Sequence, residues 1–250
     1  MRIGICILIC LAAFGLQAQE LDESQVKRLY LSVTGGLGFM GPQSDIEDQM
    51  RSSGLGDTQT GGFFSSGSTE HPNSSKIPTI GITANYWLKG RQGASLEAGL
   101  VDYIEVNGYD DIGIGNYIFL RSAIWSTSLN YMLGSQNRKR YLSVGPALML
   151  HHVKDDAAGS MTDAQTNWLV GFNASYTAHL IDKPRWFLAL KANGRIAPKS
   201  EIGPFIAEHQ TGIINPQPED QRSEFRQTKV RTSGFNIGLT FGLKLKSRTG

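Results

Sequence analysis

The stretch "GFNIGLTFGLKLK", Gly234–Lys246, alternates apolar residues with small or polar ones along its whole length. This alternation is typical of a β-strand with two different faces, because successive side chains point to opposite sides of a strand. The small or polar face carries Gly, Asn, Thr and Lys. The fold depends on whether the apolar face lies in a soluble core or against lipid. That face consists of Phe235, Ile237, Leu239, Phe241, Leu243 and Leu245.

Seven other segments of the chain show the same two-residue period. A break in the third segment near Val101–Tyr103 predicts a β-bulge. No helical pattern of useful length lies between the segments. The sequence therefore predicts an all-β chain of eight strands, with ten strands as the alternative if the long loops contain hairpins. The seven segments are 29–39, 79–88, 94–106, 117–133, 141–153, 167–180 and 186–196.

The connections between these strands alternate in length. Those at 89–93, 134–139 and 181–185 are short, whereas those near 41–76 and 197–229 exceed 30 residues. Short turns at one end and long loops at the other are typical of an outer-membrane barrel. A soluble up-and-down barrel gives no reason for this sorting. We expect the two long loops to be irregular, which would be unusual in a compact soluble domain.

The length and composition of the strand faces place the apolar face on the outside. Eleven residues from Phe235 to Leu245 span about 36 Å, or about 26 Å of height when tilted, close to the apolar band of a membrane barrel. The other faces hold mainly Gly, Ser, Thr and Asn, which suit a narrow interior. We predict a buried ion pair there between Glu97 and either Lys191 or Arg195. Aromatic residues near the strand ends would form interfacial girdles, namely Tyr86, Tyr131, Trp168, Tyr176, Trp186 and Phe235.

The N-terminus has the three parts of a secretory signal peptide. Arg2 precedes an apolar run, and a small residue at Ala18 offers a cleavage site. A lipoprotein signal is the weaker alternative, because the bulky Ile9 precedes Cys10. We predict a signal peptide at 1–18 and one barrel domain at 19–250. Both cysteines lie in the signal, which excludes disulfides and thiolate metal sites from the mature chain.

The pattern as a whole resembles the small outer-membrane β-barrels of Gram-negative bacteria, the eight-stranded OmpA- and OmpX-type group. The glycine-studded stretches "VGPALML" and "FNIGLTFGLKLK" are similar to those of barrel proteins from Bacteroidetes envelopes. The resemblance implies an antiparallel up-and-down transmembrane barrel in the cell outer membrane. It also implies contact with outer-membrane lipid and lipopolysaccharide, and insertion by the barrel-assembly machinery.

The sequence shows little sign of catalysis, metal binding or a cofactor. His151 and His152 adjoin Asp155 and Asp156, and a second acidic pair lies at 110–111, as in outer-membrane proteases. Adjacent histidines on a strand point to opposite faces, so they cannot easily serve one site. His179 is expected to make a structural hydrogen bond. The net charge of +2 argues against a nucleic-acid partner.

The first and last loops contain apolar residues that could contact a partner. The alternative is that these residues extend the hairpins above the membrane or plug the barrel mouth. We predict a monomeric scaffold that presents loops at the cell surface. A narrow porin-like pore, a rim-located enzyme and a soluble lipocalin-like binder remain alternatives. The candidate contact residues are Phe63, Phe64, Phe205, Ile206, Ile213 and Ile214.

Overall fold

The structure is a computed structural model, which describes most of the chain after residue 28. The predicted signal peptide lies outside the described residues. The only helix among them, α1, has ten residues, and no helix there is both long and apolar enough to cross a membrane. The described ranges are 29–39, 43–52, 57–62, 65–67, 77–88, 90–109, 116–155, 164–206, 208–209 and 224–245.

Eight antiparallel strands form a closed barrel, which confirms the predicted fold class. Each strand pairs with the next in sequence, and the last closes on the first. The closing register runs from Leu29 opposite Leu245 to Phe39 opposite Phe235. The barrel strands are β1 (Leu29–Phe39), β4 (Ile77–Trp87), β5 (Gln92–Tyr109), β6 (Asn116–Gly134), β7 (Arg140–Asp155), β8 (Ala164–Asp182), β9 (Trp186–Ile196) and β15 (Gly234–Leu245).

A β-bulge interrupts the pairing of β5 with β6, as the sequence predicted. The register shifts between Leu100 and Asp102. A bulge places two residues opposite one, so every side chain beyond it changes face. Asp102 therefore points inward, although the alternation of the lower half of β5 would place it outside.

The two long loops contain secondary structure, which corrects the prediction that they are irregular and that the chain has no helix. The first contains α1, and the last contains two short antiparallel pairs. These elements lie at one end of the barrel, here called the cap end. They add no strand to the closed ring. They are α1 (Gln43–Ser52), β2 (Asp57–Gly62), β3 (Ser65–Gly67), β10 (Ser200–Ile202), β11 (Phe205–Ile206), β12 (Glu208–His209), β13 (Glu224–Phe225) and β14 (Thr228–Val230).

The side of the barrel formed by β5 to β8 is taller than the side formed by β1, β4, β9 and β15. The tall strands have 16 to 19 residues, whereas the short ones have 11 or 12. Short turns join the strands at the opposite end, here called the turn end. The upper parts of the tall strands rise past the apolar outer surface and support the cap.

Candidate functional site

Side chains occupy the barrel interior at several levels, beginning with an aromatic cluster at the turn end. This base cluster is fully or almost fully buried. The ring of Trp87 lies edge-on to Tyr30 at 6.2 Å and to Tyr141 at 5.4 Å. Edge-to-face arrangements are a favourable geometry for aromatic rings. The cluster consists of Tyr30, Trp87, Met132, Tyr141, Phe187 and Ala189.

Glycines make room for the large rings of the base cluster. A Cβ on Gly242 would lie 2.1 Å from the Phe187 ring, and one on Gly134 would lie 2.7 Å from the Trp87 ring. The ring of His179 stacks on the ring of Phe187, with 4.2 Å between their centroids. The large and small residues of this end of the barrel are therefore complementary, and the glycines of the strands have a packing role.

Polar contacts surround the base cluster. His179 forms the structural interaction expected from the sequence, with its Nδ1 atom 3.0 Å from a carboxylate oxygen of Asp182. Lys244 pairs with the same carboxylate and lies 5.6 Å from the Tyr30 ring. The guanidinium of Arg138 lies 5.2 Å from the Trp87 ring, a cation–π distance. These contacts stabilise the turn end.

A buried ion pair lies above the base cluster. Lys191 Nζ is 2.8 Å from Glu97 Oε2, and both side chains are about nine-tenths buried. Lys191 also lies 3.3 Å from the hydroxyl of Thr83. Ser143 and Ser175 donate hydrogen bonds to Glu97 Oε1. The structure thus brings together two of the three residues that the sequence singled out for an interior pair.

Arg195, the third of these residues, does not contact Glu97. Its guanidinium lies 3.6 Å from Asp102 Oδ2, and its Nε donates to the carbonyl of Thr232. The sequence analysis missed Asp102, because the alternation before the bulge assigns it to the outer face. The bulge near Val101–Tyr103 was the available signal. Two stacked ion pairs, rather than one shared group, therefore cross the interior.

A small apolar cluster and a polar pair fill the upper barrel. Ile124 and Met149 are fully buried within this cluster. His151, also fully buried, makes a 2.9 Å hydrogen bond through Nε2 to the hydroxyl of Ser122. His152 points to the opposite face and contacts Thr166. The two histidines therefore serve no common site.

The cap has a hydrophobic core of its own, separate from the base cluster. It joins residues from the tall strands with residues from both long loops. Phe205 is fully buried in this core, and the centroid of its ring lies 6.0 Å from that of Phe225. Phe205 is therefore a core residue, which corrects its assignment as an exposed contact. The core consists of Ile46, Val106, Ile118, Leu120, Val153, Ile202, Phe205, Phe225 and Val230.

The other predicted loop contacts remain open. Phe63, Phe64, Ile213 and Ile214 lie outside the described residues. Ile206 lies in β11, opposite Glu224. Among the described residues, no group of three or more His, Cys, Asp or Glu side chains is placed to hold a metal ion.

The outer surface of the barrel carries many large apolar side chains that are exposed. The residues predicted to face lipid on β15 all lie on this surface. Their exposed fractions are 43% for Phe235, 37% for Ile237, 53% for Leu239, 51% for Phe241 and 47% for Leu243. Aromatic side chains predicted for the girdles are exposed on the same surface at Tyr86, Tyr131, Trp168 and Tyr176. A barrel with this exterior needs an apolar surrounding.

No family model and no curated protein matches the chain. Solved barrels are similar to it in architecture. The outer membrane protein OprG from Pseudomonas aeruginosa is 11% identical in sequence, with a TM-score of 0.44. The superposition covers 90% of this chain and 100% of the OprG chain. Ail, the attachment invasion locus protein of Yersinia pestis, is 6% identical in sequence, with a TM-score of 0.39. Here the superposition covers 87% of this chain and 99% of the Ail chain. The outer membrane protein AlkL is 16% identical in sequence, with a TM-score of 0.39, and the superposition covers 94% of this chain and 99% of the AlkL chain.

Proposed function

We propose that this protein is a monomeric outer-membrane β-barrel that anchors a folded cap at the surface of a Gram-negative bacterium. The N-terminal signal pattern supports export, and the apolar exterior supports a membrane position. The strand height of about 26 Å fits the apolar band of such a membrane. The glycine-studded strands favour a Bacteroidetes source.

The observation that carries the proposal is the fully or almost fully buried base cluster at the turn end, together with a cap that has its own core at the other end. The base cluster, the Glu97–Lys191 pair and the upper apolar cluster occupy successive levels of the barrel. Eight strands leave little room beyond side chains. A role in presenting the cap uses these features, whereas a diffusion pore requires a continuous aqueous path.

The arrangement of the polar residues favours a non-catalytic role. His151 is buried without access from the surface, and His152 lies on the outer face. A surface partner would bind the cap, including the loop residues Phe63, Phe64, Ile213 and Ile214. Phe205 would then support the shape of the cap without touching the partner.

Cell fractionation and bilayer recordings test the proposal together. We expect the full chain to remain with the outer membrane and to change gel mobility on boiling. Added protease should reach the cap on intact cells. In planar bilayers we expect no stepwise conductance above the lipid background.

The results separate the alternatives. A chain that is freely soluble without detergent would refute the membrane barrel and favour a lipocalin-like binder. Stepwise conductance in a correctly folded preparation would refute the scaffold role and favour the narrow pore. A hydrolytic activity of the purified barrel that His152→Ala removes would favour the rim enzyme.

A further inference from the structure

The turn end of the barrel carries exposed charges of one sign. Its three short turns, 89–93, 134–139 and 181–185, contain Asp182 as their only acidic residue. His179 and Lys244 already contact that carboxylate. Four cationic side chains next to it are exposed, and within the described part of the chain none of them forms an ion pair. They are Lys139, Arg140, Lys183 and Arg185, here called the basic rim.

Backbone hydrogen bonds place the basic rim on one side of the turn end. The N–H of His179 donates to the carbonyl of Lys139 over 2.8 Å, which brings the second turn against the end of β8. The N–H of Lys244 donates to the carbonyl of Arg185 over 2.9 Å, which brings the third turn against the end of β15. The rim therefore follows the ends of β7, β8, β9 and β15 as one arc.

The backbone beneath the rim is held in place. Arg138 has a φ of 56°, which is uncommon for a residue other than glycine, and its guanidinium donates to the carbonyls of Leu88 and Gly90. The N–H of Lys183 donates to the carbonyl of Trp186 over 2.9 Å and closes the third turn. Like charges gathered on a fixed backbone repel one another, so the rim favours a bound anion.

The first strand begins beside the basic rim. Leu29 is paired with Leu245 on one side and with Tyr86 on the other, so β1 starts at the turn end. The third turn joins β8 to β9, and only β15 lies between β9 and β1. Because neighbouring strands lie about 4.8 Å apart, the third turn is about 10 Å from the start of β1.

The ten residues before β1 contain the complementary charge. They read "QELDESQVKR", 19–28, and lie outside the described residues. Glu20, Asp22 and Glu23 are three of the first five. The stretch from Glu23 to Leu29 can span about 20 Å when extended, about twice the distance from β1 to the third turn. The three carboxylates can therefore reach the rim.

The chemistry of the rim favours a tethered segment over a folded partner. The two turns that carry the rim have mainly charged and polar side chains, whereas a stable protein interface needs buried aromatic or arginine anchors. Exposed ion pairs are weak one at a time. A segment that is already attached needs little affinity, because a short linker gives it an effective concentration in the millimolar range.

We infer that Glu20, Asp22 and Glu23 of the mature chain bind the basic rim and hold the N-terminal segment across the turn end. The inference rests on the export and the membrane position proposed above, in which the short turns face the periplasm. The bound segment occupies the rim cations and keeps other anions of the periplasm from them. It adds a second contact surface to the molecule, at the end opposite the cap.

A spin label at residue 21 measures this contact. Leu21→Cys gives a unique site, because both natural cysteines lie in the predicted signal peptide. The mature chain is reconstituted in dioleoylphosphatidylcholine vesicles, which have no net charge. Electron paramagnetic resonance gives the ratio of immobilised to mobile label, and we expect the immobilised form to dominate. Changing all four rim cations to Glu should lower the ratio at least about tenfold, because each exposed ion pair changes it about threefold.

Charge exchange supplies the control. Adding Glu20→Lys, Asp22→Lys and Glu23→Lys to the rim variant should restore the immobilised label. In the chain with an intact rim, raising the NaCl concentration from about 0.05 to about 0.5 M should release it, because salt screens exposed charges. The matched control changes four exposed cations of the cap end to Glu and should leave the ratio unchanged. These are Lys199, Arg226, Lys229 and Arg231.

Carbodiimide cross-linking gives a second readout in the chain without substitutions. The reagent joins a carboxylate to a lysine amine where the two groups are in contact. We expect mass spectrometry to find the segment 19–28 linked to Lys139 or Lys183. The exposed pair of Lys229 and Glu201, 2.9 Å apart, is the internal reference. A sample in which the reference link forms and the segment stays unlinked would contradict the inference.

The spin label also identifies the competing explanations. The inference is wrong if the label is mobile in the chain with an intact rim, if the rim variant leaves it immobilised, or if charge exchange does not restore it. Release by Lys27→Gln with Arg28→Gln, without release by the rim variant, would assign the acidic residues to their own neighbours in sequence. Release on adding phosphatidylglycerol would assign the rim to lipid headgroups and overturn the inference. Failure to insert into vesicles would refute the membrane barrel instead, which boiling-dependent gel mobility detects separately.

Discussion

The Glu97–Lys191 pair allows a quantitative test of what stabilises the barrel interior. Lys191→Met keeps the length of the side chain and removes its charge. Glu97 then retains hydrogen bonds from Ser143, Ser175 and Asn173, which are 3.3–3.4 Å long. These three neutral donors partly replace the 2.8 Å contact with Lys191.

The expected magnitude follows from this environment. Removing one partner of a buried pair costs about 3–5 kcal/mol of unfolding free energy. Because the neutral donors remain, we expect Lys191→Met to lower the unfolding free energy by about 3 kcal/mol, at the lower end of this range. Replacing both residues, Glu97→Gln with Lys191→Met, should stay within about 1 kcal/mol of the parent, since no buried charge is left unpaired. The cycle should therefore give a coupling energy of at least about 2 kcal/mol.

Urea titration in phosphatidylcholine vesicles, followed by the fraction with folded gel mobility, measures the four proteins of the cycle. The matched control is the exposed pair of Lys229 and Glu201, whose cycle should give at most about 1 kcal/mol. If the Glu97 and Lys191 effects add to within about 0.5 kcal/mol, the two groups act independently and the reasoning fails.

Three further substitutions test the outer surface, the base cluster and the cap. Leu239→Arg should weaken insertion by about 2–4 kcal/mol, whereas the inward Thr240→Ser should have a mild effect; equal effects in urea titration would contradict the assignment of Leu239 to lipid. Gly242→Ala should cost about 1–3 kcal/mol by crowding the base cluster, whereas a Cβ on Gly35 meets nothing within 4 Å, so Gly35→Ala should not destabilise in the same titration. Phe205→Ala should loosen the cap by about 3 kcal/mol, seen as faster proteolysis with folded gel mobility retained. Loss of that mobility would show that the barrel depends on the cap.

The barrel could be predicted from the sequence because each strand has one apolar and one polar face along its full length. The eight segments found by this period all became barrel strands. Closure between the first and last strands was expected of a membrane barrel, and the even strand number makes that pair antiparallel. The pairing of Glu97 with Lys191 could be anticipated only as one of two choices. The two-residue alternation shows which side chains face inward, but it does not show the register between distant strands.

Asp102 shows where the period stops being informative. A bulge could be located near Val101–Tyr103, but the residue at which the two faces exchange depends on which residue is unpaired. The register of β5 with β6 settles that point, and it gives Arg195 its partner. A single extra residue therefore separates a lipid-facing from a buried carboxylate.

The cap was the least predictable part of the molecule. Its core residues come from segments far apart in the chain, so no local pattern identifies them. The helix α1 places Ile46 in that core, while Asp45 accepts a hydrogen bond from the backbone N–H of Arg231. Neither contact is encoded within the ten residues of the helix.

The composition of the cap core has a consequence for recognising intact molecules. Ile46 follows the first barrel strand and Val230 precedes the last one, and both belong to the same core. A chain cut anywhere between these two residues lacks one part of that core. The native cap therefore needs both long loops at once, and an antibody specific for its folded shape would recognise only molecules that contain both.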